Sequence, residues 1–198
     1  MRALVFAILL LLSGVAVAQT GDALKAVNAA RSQIGVTTSY DPAYSRIAFP
    51  MGDVPMERGV CSDVVIRAYR KAGVDFQALV HKDMRAYFSF YPKIWGLKKP
   101  DSNIDHRRVP NLEVFFKRQR KSLLDLQTAD SFKPGDIVSW RLDNGLAHIG
   151  IVSDKKSLFG SRPLVIHNIG QGTQEEDVLF SWKIVGHYRW FNAVGTNR

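Results

Sequence analysis

Cysteine is almost absent from this 198-residue chain, in which Cys61 stands alone. A lone cysteine excludes a disulfide within the chain and the Cys-x-x-Cys pairs of structural zinc sites. The histidines show no His-x-x-x-His spacing, and no glycine-rich phosphate-binding loop occurs. We therefore expect no metal and no organic cofactor. Because no cross-link accounts for Cys61, it is either a small buried apolar residue or a reactive thiol.

Long hydrophobic runs are also scarce. The run Ala3–Leu12 follows the basic Met1-Arg2 and precedes Ala16-Val17-Ala18. It is too short to span a bilayer comfortably, and the small-x-small pattern is that of a signal peptidase site. We predict a cleaved signal peptide over residues 1–18, a single domain over residues 19–198, and a periplasmic or secreted location without a stable membrane anchor. The alternative is an uncleaved N-terminal anchor.

Acidic residues are outnumbered by basic ones. The chain has 27 Lys and Arg against 18 Asp and Glu, a formal net charge of +9 at pH 7, which becomes +8 when Arg2 leaves with the signal peptide. Outside the cytoplasm, a basic surface favours encounter with envelope polymers, lipid head groups and peptide carboxylates. No nucleic-acid-binding motif is present, so we expect no nucleic-acid partner. We also expect a monomer.

The order of the predicted elements indicates the fold class. Apolar residues at helical spacing predict helices in the first part of the chain, and β-branched runs separated by turn signals follow Pro134-Gly135. The predicted helices cover residues 22–35, 61–72 and 75–91, with a short one around Leu112, and the predicted strands cover residues 136–141, 148–153, 164–168 and 184–191. Helices followed by an antiparallel meander indicate an α+β fold.

Cys61 lies in the first turn of the second predicted helix. The residues that share its face are apolar, so this face is expected to pack on the sheet: Val64, Val65, Ala68 and Ala72. Unpaired backbone N–H groups and the helix dipole favour an anion at a helix start. This position predicts that the thiol pKa lies below its ordinary value, which is the condition for a reactive thiolate.

Two histidines are predicted to meet at the sheet edge over that helix start. His148 opens one strand and His167 lies near the end of the next, and these ends coincide in antiparallel neighbours. Alternation points Asn168 to the opposite face from His167. Taken singly, each histidine is most simply a polar residue at a sheet rim. Taken with Cys61, they supply a nucleophile, a base and a group that orients the base.

Four segments, in chain order, resemble the NlpC-type cell-wall peptidases of the papain-like superfamily: Val60–Val65, Pro134–Val138, Ala147–Val152 and Val165–His167. The resemblance implies a papain-like α+β fold in which the nucleophile helix packs on an antiparallel β-sheet. It assigns Cys61 as the nucleophile, His148 as its base and His167 as the residue that orients the base. The Asp-Cys-Ser-Gly context usual in that family is replaced here by Val60-Cys61-Ser62-Asp63.

From about residue 23 to residue 191 the chain also resembles a YijF-like family of secreted bacterial proteins of uncharacterised function. The segments that carry this likeness include Tyr40–Tyr44, Gly59–Cys61, Ile66–Tyr69, Asp105–Leu112 and Gly186–Arg189. This resemblance specifies a family and leaves the substrate open.

Six further residues are candidates for substrate binding. Tyr40 or Tyr44, upstream of the nucleophile, could aim a hydroxyl at the oxyanion, since related cell-wall peptidases place a tyrosine in a comparable loop; either is otherwise a core or rim aromatic. The other four form a dense charge cluster in one loop: Asp105, His106, Arg107 and Arg108. They are either a solvated turn or a clamp for carboxylate or phosphate groups, because arginine offers a planar fork of donors.

Three functions fit these patterns. The first is a secreted cysteine peptidase or amidase that uses a Cys-His-His acyl-enzyme mechanism on cell-envelope amides, with peptidoglycan peptides as the first choice of substrate. The second is a metal-dependent hydrolase, whose histidine and thiolate ligands would have to come from distant loops. The third is a non-catalytic envelope-binding module of the same fold, in which the basic surface binds anionic polymer and Cys61 is unreactive.

Overall fold

The computed structural model describes residues 21–125 and 127–191. The predicted signal peptide, residues 1–18, lies outside these ranges. Within them, no helix combines the length and the apolar character that a membrane crossing requires.

The helices begin close to where their capping signals predict. They are α1 (residues 21–31), α2 (Cys61–Lys71), α3 (Phe76–Tyr87) and α4 (Val109–Arg118), with short 3-10 helices at Phe88–Phe90, Asp105–Arg107 and Ala129–Ser131. Asp75 caps α3, because its side chain accepts a hydrogen bond from the amide of Gln77. α3 ends at Tyr87 rather than Tyr91, and a 3-10 turn leads to Pro92, which cannot continue a helix.

The strands form a small parallel pair and a larger antiparallel sheet. β1 (Ser39–Tyr40) and β2 (Arg58–Gly59) pair just before α2. The main sheet consists of β3 (Ile137–Arg141), β4 (Ala147–Lys156), β5 (Pro163–Asn168), β6 (Thr173–Glu176) and β7 (Lys183–Tyr188). Its order is β6-β5-β4-β3-β7, and each neighbouring pair is antiparallel. Four of its strands match predicted segments, whereas β6 was not predicted.

Both faces of the main sheet are buried. Side chains alternate along each strand, so successive residues contribute to opposite faces. One face packs against α2 and contributes Ile137, Ile149, Ile151 and Ile166, which meet Val64, Val65 and Ala68 of the helix. The other face carries a second cluster made of Phe132, Val138, Trp140, Val152, Val165 and Leu179. The predicted α+β arrangement, with the Cys61 helix packed on an antiparallel sheet, is thus confirmed.

Candidate active site

Cys61 occupies the first position of α2, as the sequence predicts. The preceding residue, Val60, is in an extended conformation, and its amide donates to the side chain of Asp63 at 2.7 Å. The Cys61 side chain is nearly buried but forms part of the wall of a pocket of about 370 Å³. The polar and aromatic residues that line the pocket include Tyr40, Tyr44, Trp95, Arg107 and Arg108.

The sulfur of Cys61 is held by hydrogen bonds from its neighbours. The backbone amides of Ile149 and Ser62 and the hydroxyl of Tyr40 donate to it. Burial nevertheless raises the pKa of the Cys61 thiol to about 11, and the charge of Asp63 acts in the same direction. The prediction of a lowered thiol pKa is therefore wrong for this structure, because desolvation outweighs the helix start and the hydrogen bonds.

The two predicted histidines do meet, but on the face of the sheet that carries the second cluster, whereas the prediction placed them over the start of α2. Nε2 of His148 lies 2.8 Å from Nδ1 of His167. Nε2 of His167 lies 2.9 Å from a carboxylate oxygen of Glu176 on β6. Burial lowers the pKa of both imidazoles, that of His148 to about 3. We call this row of side chains, His148, His167 and Glu176, the imidazole row.

Indole rings enclose the imidazole row. The ring of Trp140 stacks on that of His148 with centroids 5.6 Å apart and an interplanar angle of 26°. The ring of Trp182 packs edge-on against both histidines, at 5.8 Å from His148 and 6.2 Å from His167. These aromatic walls exclude water from the two imidazoles and hold their planes in place.

Cys61, the predicted nucleophile, lies beside the strand β4 that bears His148, the predicted base, but no hydrogen bond joins the two side chains. The amide of Ile149, the residue after His148, donates to the sulfur, so the sulfur lies beside the first residues of this strand. Alternation turns the Ile149 side chain toward α2 and the His148 ring toward Trp140. Among the described residues, no hydrogen bond joins the Cys61 sulfur to either imidazole, and Nδ1 of His148 has none.

Asn168 points away from His167, as alternation predicts, and it supports the segment before Cys61. Its side-chain amide donates to the carbonyl of Gly59 at 3.1 Å and to that of Ser39 at 3.3 Å. The end of β5 therefore fixes the approach of the chain to Cys61.

Arg107 is not free to bind a substrate, although it borders the pocket. Its Nε and Nη2 atoms donate to the two carboxylate oxygens of Asp63, each at 2.9 Å, and both side chains are buried. The carbonyls of Asp41 and Ala43 accept its remaining hydrogen bonds. The prediction that Arg107 is a substrate clamp is corrected accordingly, because its donors are consumed by an internal ion pair that holds the first turn of α2.

Asp105 and His106 are also misassigned as substrate-binding residues. Both are buried in the 3-10 helix before α4, and neither lines the pocket. A carboxylate oxygen of Asp105 accepts from the amide of Asp101, and burial raises the pKa of Asp105 to about 6. Burial lowers the pKa of His106 to about 4, so its ring is neutral at pH 7.

Arg108 is the member of the charge cluster that remains available to a ligand. Its guanidinium lies over the ring of Trp95 at 4.2 Å. Its ion pair with Asp105 is long, at 3.5 Å, and its buried Nη1 atom makes no hydrogen bond. Arg108 therefore presents an incompletely satisfied cation to the pocket that contains Cys61.

The two candidate tyrosines differ in what their hydroxyls do. The hydroxyl of Tyr40 reaches the Cys61 sulfur. The hydroxyl of Tyr44 donates to Asp101 at 3.0 Å and accepts from the side chain of Asn103 at 3.0 Å, so it is already engaged. Tyr40 is thus the better placed of the two to meet a substrate oxygen.

Sequence reasoning missed Glu176 and the two indoles of the imidazole row. Thr173–Glu176 has no apolar alternation, so it gives no strand signal. Trp140 stands in a predicted strand, and its pairing with His148 follows only from the register of β3 and β4. For the alternative of a metal-dependent hydrolase, residues 21–125 and 127–191 contain no group of three or more His, Cys, Asp or Glu placed to hold a metal ion.

Comparison with known proteins gives one curated relative and one solved structure. The chain is 61% identical over 173 residues to the uncharacterised protein YijF of Escherichia coli (strain K12), covering 87% of this chain and 84% of that protein. It is similar in structure to NlpC1 from Trichomonas vaginalis, with 15% sequence identity and a TM-score of 0.48. That likeness covers 86% of this chain and 45% of the other, which is less than half of its length.

The sequence comparison confirms the YijF-like relationship predicted from the motifs. The family that the chain matches is described only by its lack of a known function. Since the match extends over residues 27–190 and so includes Cys61, His148, His167 and Glu176, the chain belongs to the family described as Domain of unknown function (DUF1287).

Proposed function

We propose that this protein is a cysteine amidase or peptidase in which Cys61 is the nucleophile, His148 the base and His167 the residue that orients the base. The observation that carries the proposal is the position of the sole cysteine. It lies at the start of α2, in the wall of a pocket and beside the strand that bears the imidazole row.

The proposed reaction is acyl transfer in two halves. The Cys61 sulfur attacks the amide carbonyl carbon while its proton passes to Nδ1 of His148, and the imidazolium then gives this proton to the departing amine as the C–N bond breaks. Water attacks the resulting thioester, His148 takes the proton of the water, and the sulfur regains a proton as the carboxylic acid leaves. The backbone N–H of Cys61 and the hydroxyl of Tyr40 are the proposed oxyanion donors.

The thiol and the imidazole start this reaction uncharged. The pKa of Cys61 is raised to about 11 and that of His148 is lowered to about 3, so neither group is ionised near pH 7. The sulfur and Nδ1 of His148 must also come within hydrogen-bond reach, a contact that the structure does not show. Catalytic hydrogen bonds often tighten only when substrate binds. Cys61 lies in the first turn of α2 and in the pocket wall, so a bound substrate would contact this turn directly.

The proposed substrate is an amide that carries a free carboxylate. Arg108 lines the same pocket as Cys61, and its guanidinium has hydrogen-bonding capacity that the protein leaves unused. A guanidinium recognises carboxylates through paired, charge-assisted hydrogen bonds. Peptides of the cell envelope, and peptidoglycan stem peptides first, meet this requirement. The predicted export of the chain to the periplasm or beyond would bring the protein to such substrates.

The test compares Cys61→Ala and His148→Gln with the unaltered protein on purified cell-wall fragments, with release of free amines as the readout. We expect both variants to lose at least about 99% of the activity, since acid–base and nucleophilic groups each contribute about 100-fold or more. Exposed Arg162, which pairs with Asp177 away from the pocket, provides the control variant Arg162→Gln. Full activity of Cys61→Ala would exclude the proposal.

The second candidate function is a non-catalytic envelope-binding module. The observation in its favour is the neutral, buried thiol that lacks a hydrogen bond to an imidazole. In that case Cys61→Ala should bind purified cell-wall polymer as tightly as the unaltered protein, and no amide bond should be cleaved by either.

A further inference from the structure

We infer that Glu176 is a positioning residue, whose carboxylate decides which ring nitrogens of His167 and His148 carry hydrogen and so leaves Nδ1 of His148 as the free lone pair. The tautomer part of this inference is independent of the proposed function. Only its catalytic consequence rests on the assignment of Cys61 and His148.

The geometry of the imidazole row allows a single relay of hydrogen bonds. His167 uses both nitrogens, Nδ1 toward Nε2 of His148 at 2.8 Å and Nε2 toward Glu176 at 2.9 Å. The rings meet edge to face at 74°, with both residues buried. The strand register sets this alignment, because His167 lies opposite Gln174, two residues before Glu176 on β6.

The hydrogen positions follow from the donor rules, one ring at a time. An ionised carboxylate only accepts hydrogen bonds, so Nε2 of His167 must carry the hydrogen. A neutral imidazole carries one hydrogen, so Nδ1 of His167 is bare and accepts. Nε2 of His148 must then donate, which leaves Nδ1 of His148 unprotonated and able to take a proton.

Both rings must be neutral for this hydrogen pattern to hold, and burial supplies that condition. Desolvation lowers the pKa of His148 to about 3 and also lowers that of His167. A cationic His167 would donate from both nitrogens, and Nδ1 of His148 would then carry the hydrogen and be useless as a base. With both rings neutral, the hydrogen lies on Nε2 of His167 and on Nε2 of His148.

Glu176 is a favourable position for mutagenesis. Its side chain is 47% exposed on β6, so replacement should not disturb the core. Lysine at this position is a donor without acceptor capacity, and it would force Nε2 of His167 to accept. The pattern would then reverse along the row, and Nδ1 of His148 would acquire the hydrogen. Glutamine keeps an oxygen acceptor and should preserve the original pattern.

The experiment records nitrogen NMR spectra of the full chain with ¹⁵N-labelled histidine at pH 7 for the unaltered protein, Glu176→Gln and Glu176→Lys. Gln174→Lys, at an exposed position on the same strand, controls for added charge. Signals are assigned with His148→Gln and His167→Gln. We expect the Nε2–H form of both rings in the unaltered protein, in Glu176→Gln and in Gln174→Lys, and the Nδ1–H form in Glu176→Lys.

The catalytic consequence is measured on the same proteins with cell-wall fragments. We expect Glu176→Lys to lower kcat about 100-fold or more with KM within about twofold, since a base in the wrong tautomer loses its role. An Nδ1–H form of His148 in the unaltered protein, or an unchanged pattern in Glu176→Lys, would overturn the inference. If the pattern reverses while the unaltered protein cleaves nothing, the proposed function fails and the tautomer assignment stands.

Discussion

At the scale of single residues, Cys61 shows two opposing effects on one thiol. A helix start favours a thiolate by about 0.3–1 kcal/mol at an exposed site, and by about 2 kcal/mol when partly buried. Burial raises the pKa of the Cys61 thiol to about 11, which corresponds to roughly 3 kcal/mol against the thiolate. The sequence reveals the helix start but not the depth at which the sulfur lies, so only the first effect could be predicted.

The raised thiol pKa predicts how Cys61 reacts with iodoacetamide. Because only the thiolate attacks, the alkylation rate should rise about tenfold per pH unit and continue to rise beyond pH 9. Intact mass measures the reaction without ambiguity, since the chain has one cysteine. The denatured chain is the control, with a transition near the ordinary thiol pKa of about 8.5. A rate that levels off below pH 8 would show that the folded protein already holds a thiolate.

Two adjacent arginines should respond differently to the same substitution. Arg107→Gln leaves Asp63 buried without its partner, so we expect a loss of about 3–5 kcal/mol in unfolding free energy. Arg108→Gln removes a long ion pair and the cation–π contact with Trp95, and should cost about 1–2 kcal/mol. It should instead raise KM for carboxylate-bearing substrates about tenfold. Urea unfolding and steady-state kinetics measure the two effects, and equal stability losses would contradict the assignment.

At the scale of elements, apolar periodicity predicted those parts of the fold that bury an apolar face. α2 and the strands β3, β4, β5 and β7 each carry such a face. β6 pairs at the sheet edge through Thr173, Gln174, Glu175 and Glu176, a polar segment without that pattern. The charged loop before α4 is predicted to be a solvated turn or a substrate clamp, because composition does not show that Arg107 pairs with Asp63. Tertiary partners, which lie far apart in sequence, decide both cases.

Gly150 of β4 gives a prediction about strand packing in the imidazole row. A Cβ atom at this position would lie 2.7 Å from Cγ1 of Val165 and 3.1 Å from Cβ of His167. Gly150→Ala should therefore cost about 1–3 kcal/mol of stability, as overpacked cores do, and should shift the histidine nitrogen signals. Thermal unfolding and NMR test this. Gly21→Ala, where a Cβ meets nothing within 4 Å, is the control, and equal behaviour of the two variants would refute the packing argument.

At the scale of the whole molecule, the main sheet separates two buried layers of different polarity. The face toward α2 is apolar and packs against that helix. The opposite face mixes apolar side chains with imidazoles that remain neutral because water is excluded. Since neutral histidine is favoured in the folded state, acid should work against folding.

The stability of the molecule should consequently fall as the pH falls below about 6.5. The unfolded chain protonates His148 near its ordinary pKa, whereas the folded chain does so only near pH 3, so stability is lost across this window at about 1.4 kcal/mol per pH unit for this residue. His148→Gln should flatten the decline by that slope. Asp105, whose folded pKa is about 6, has the opposite sign, and Asp105→Asn should steepen the decline. Urea unfolding between pH 7 and pH 5 measures both slopes.

The buried pair of Asp63 and Arg107 has a consequence for the evolution of the family. The carboxylate stands two positions after Cys61 and its guanidinium partner 44 positions further along the chain, so a change of either to a neutral residue would leave the other buried without a partner. Lineages should either retain both or lose both. An alignment of relatives should therefore show the residues at positions 63 and 107 changing together.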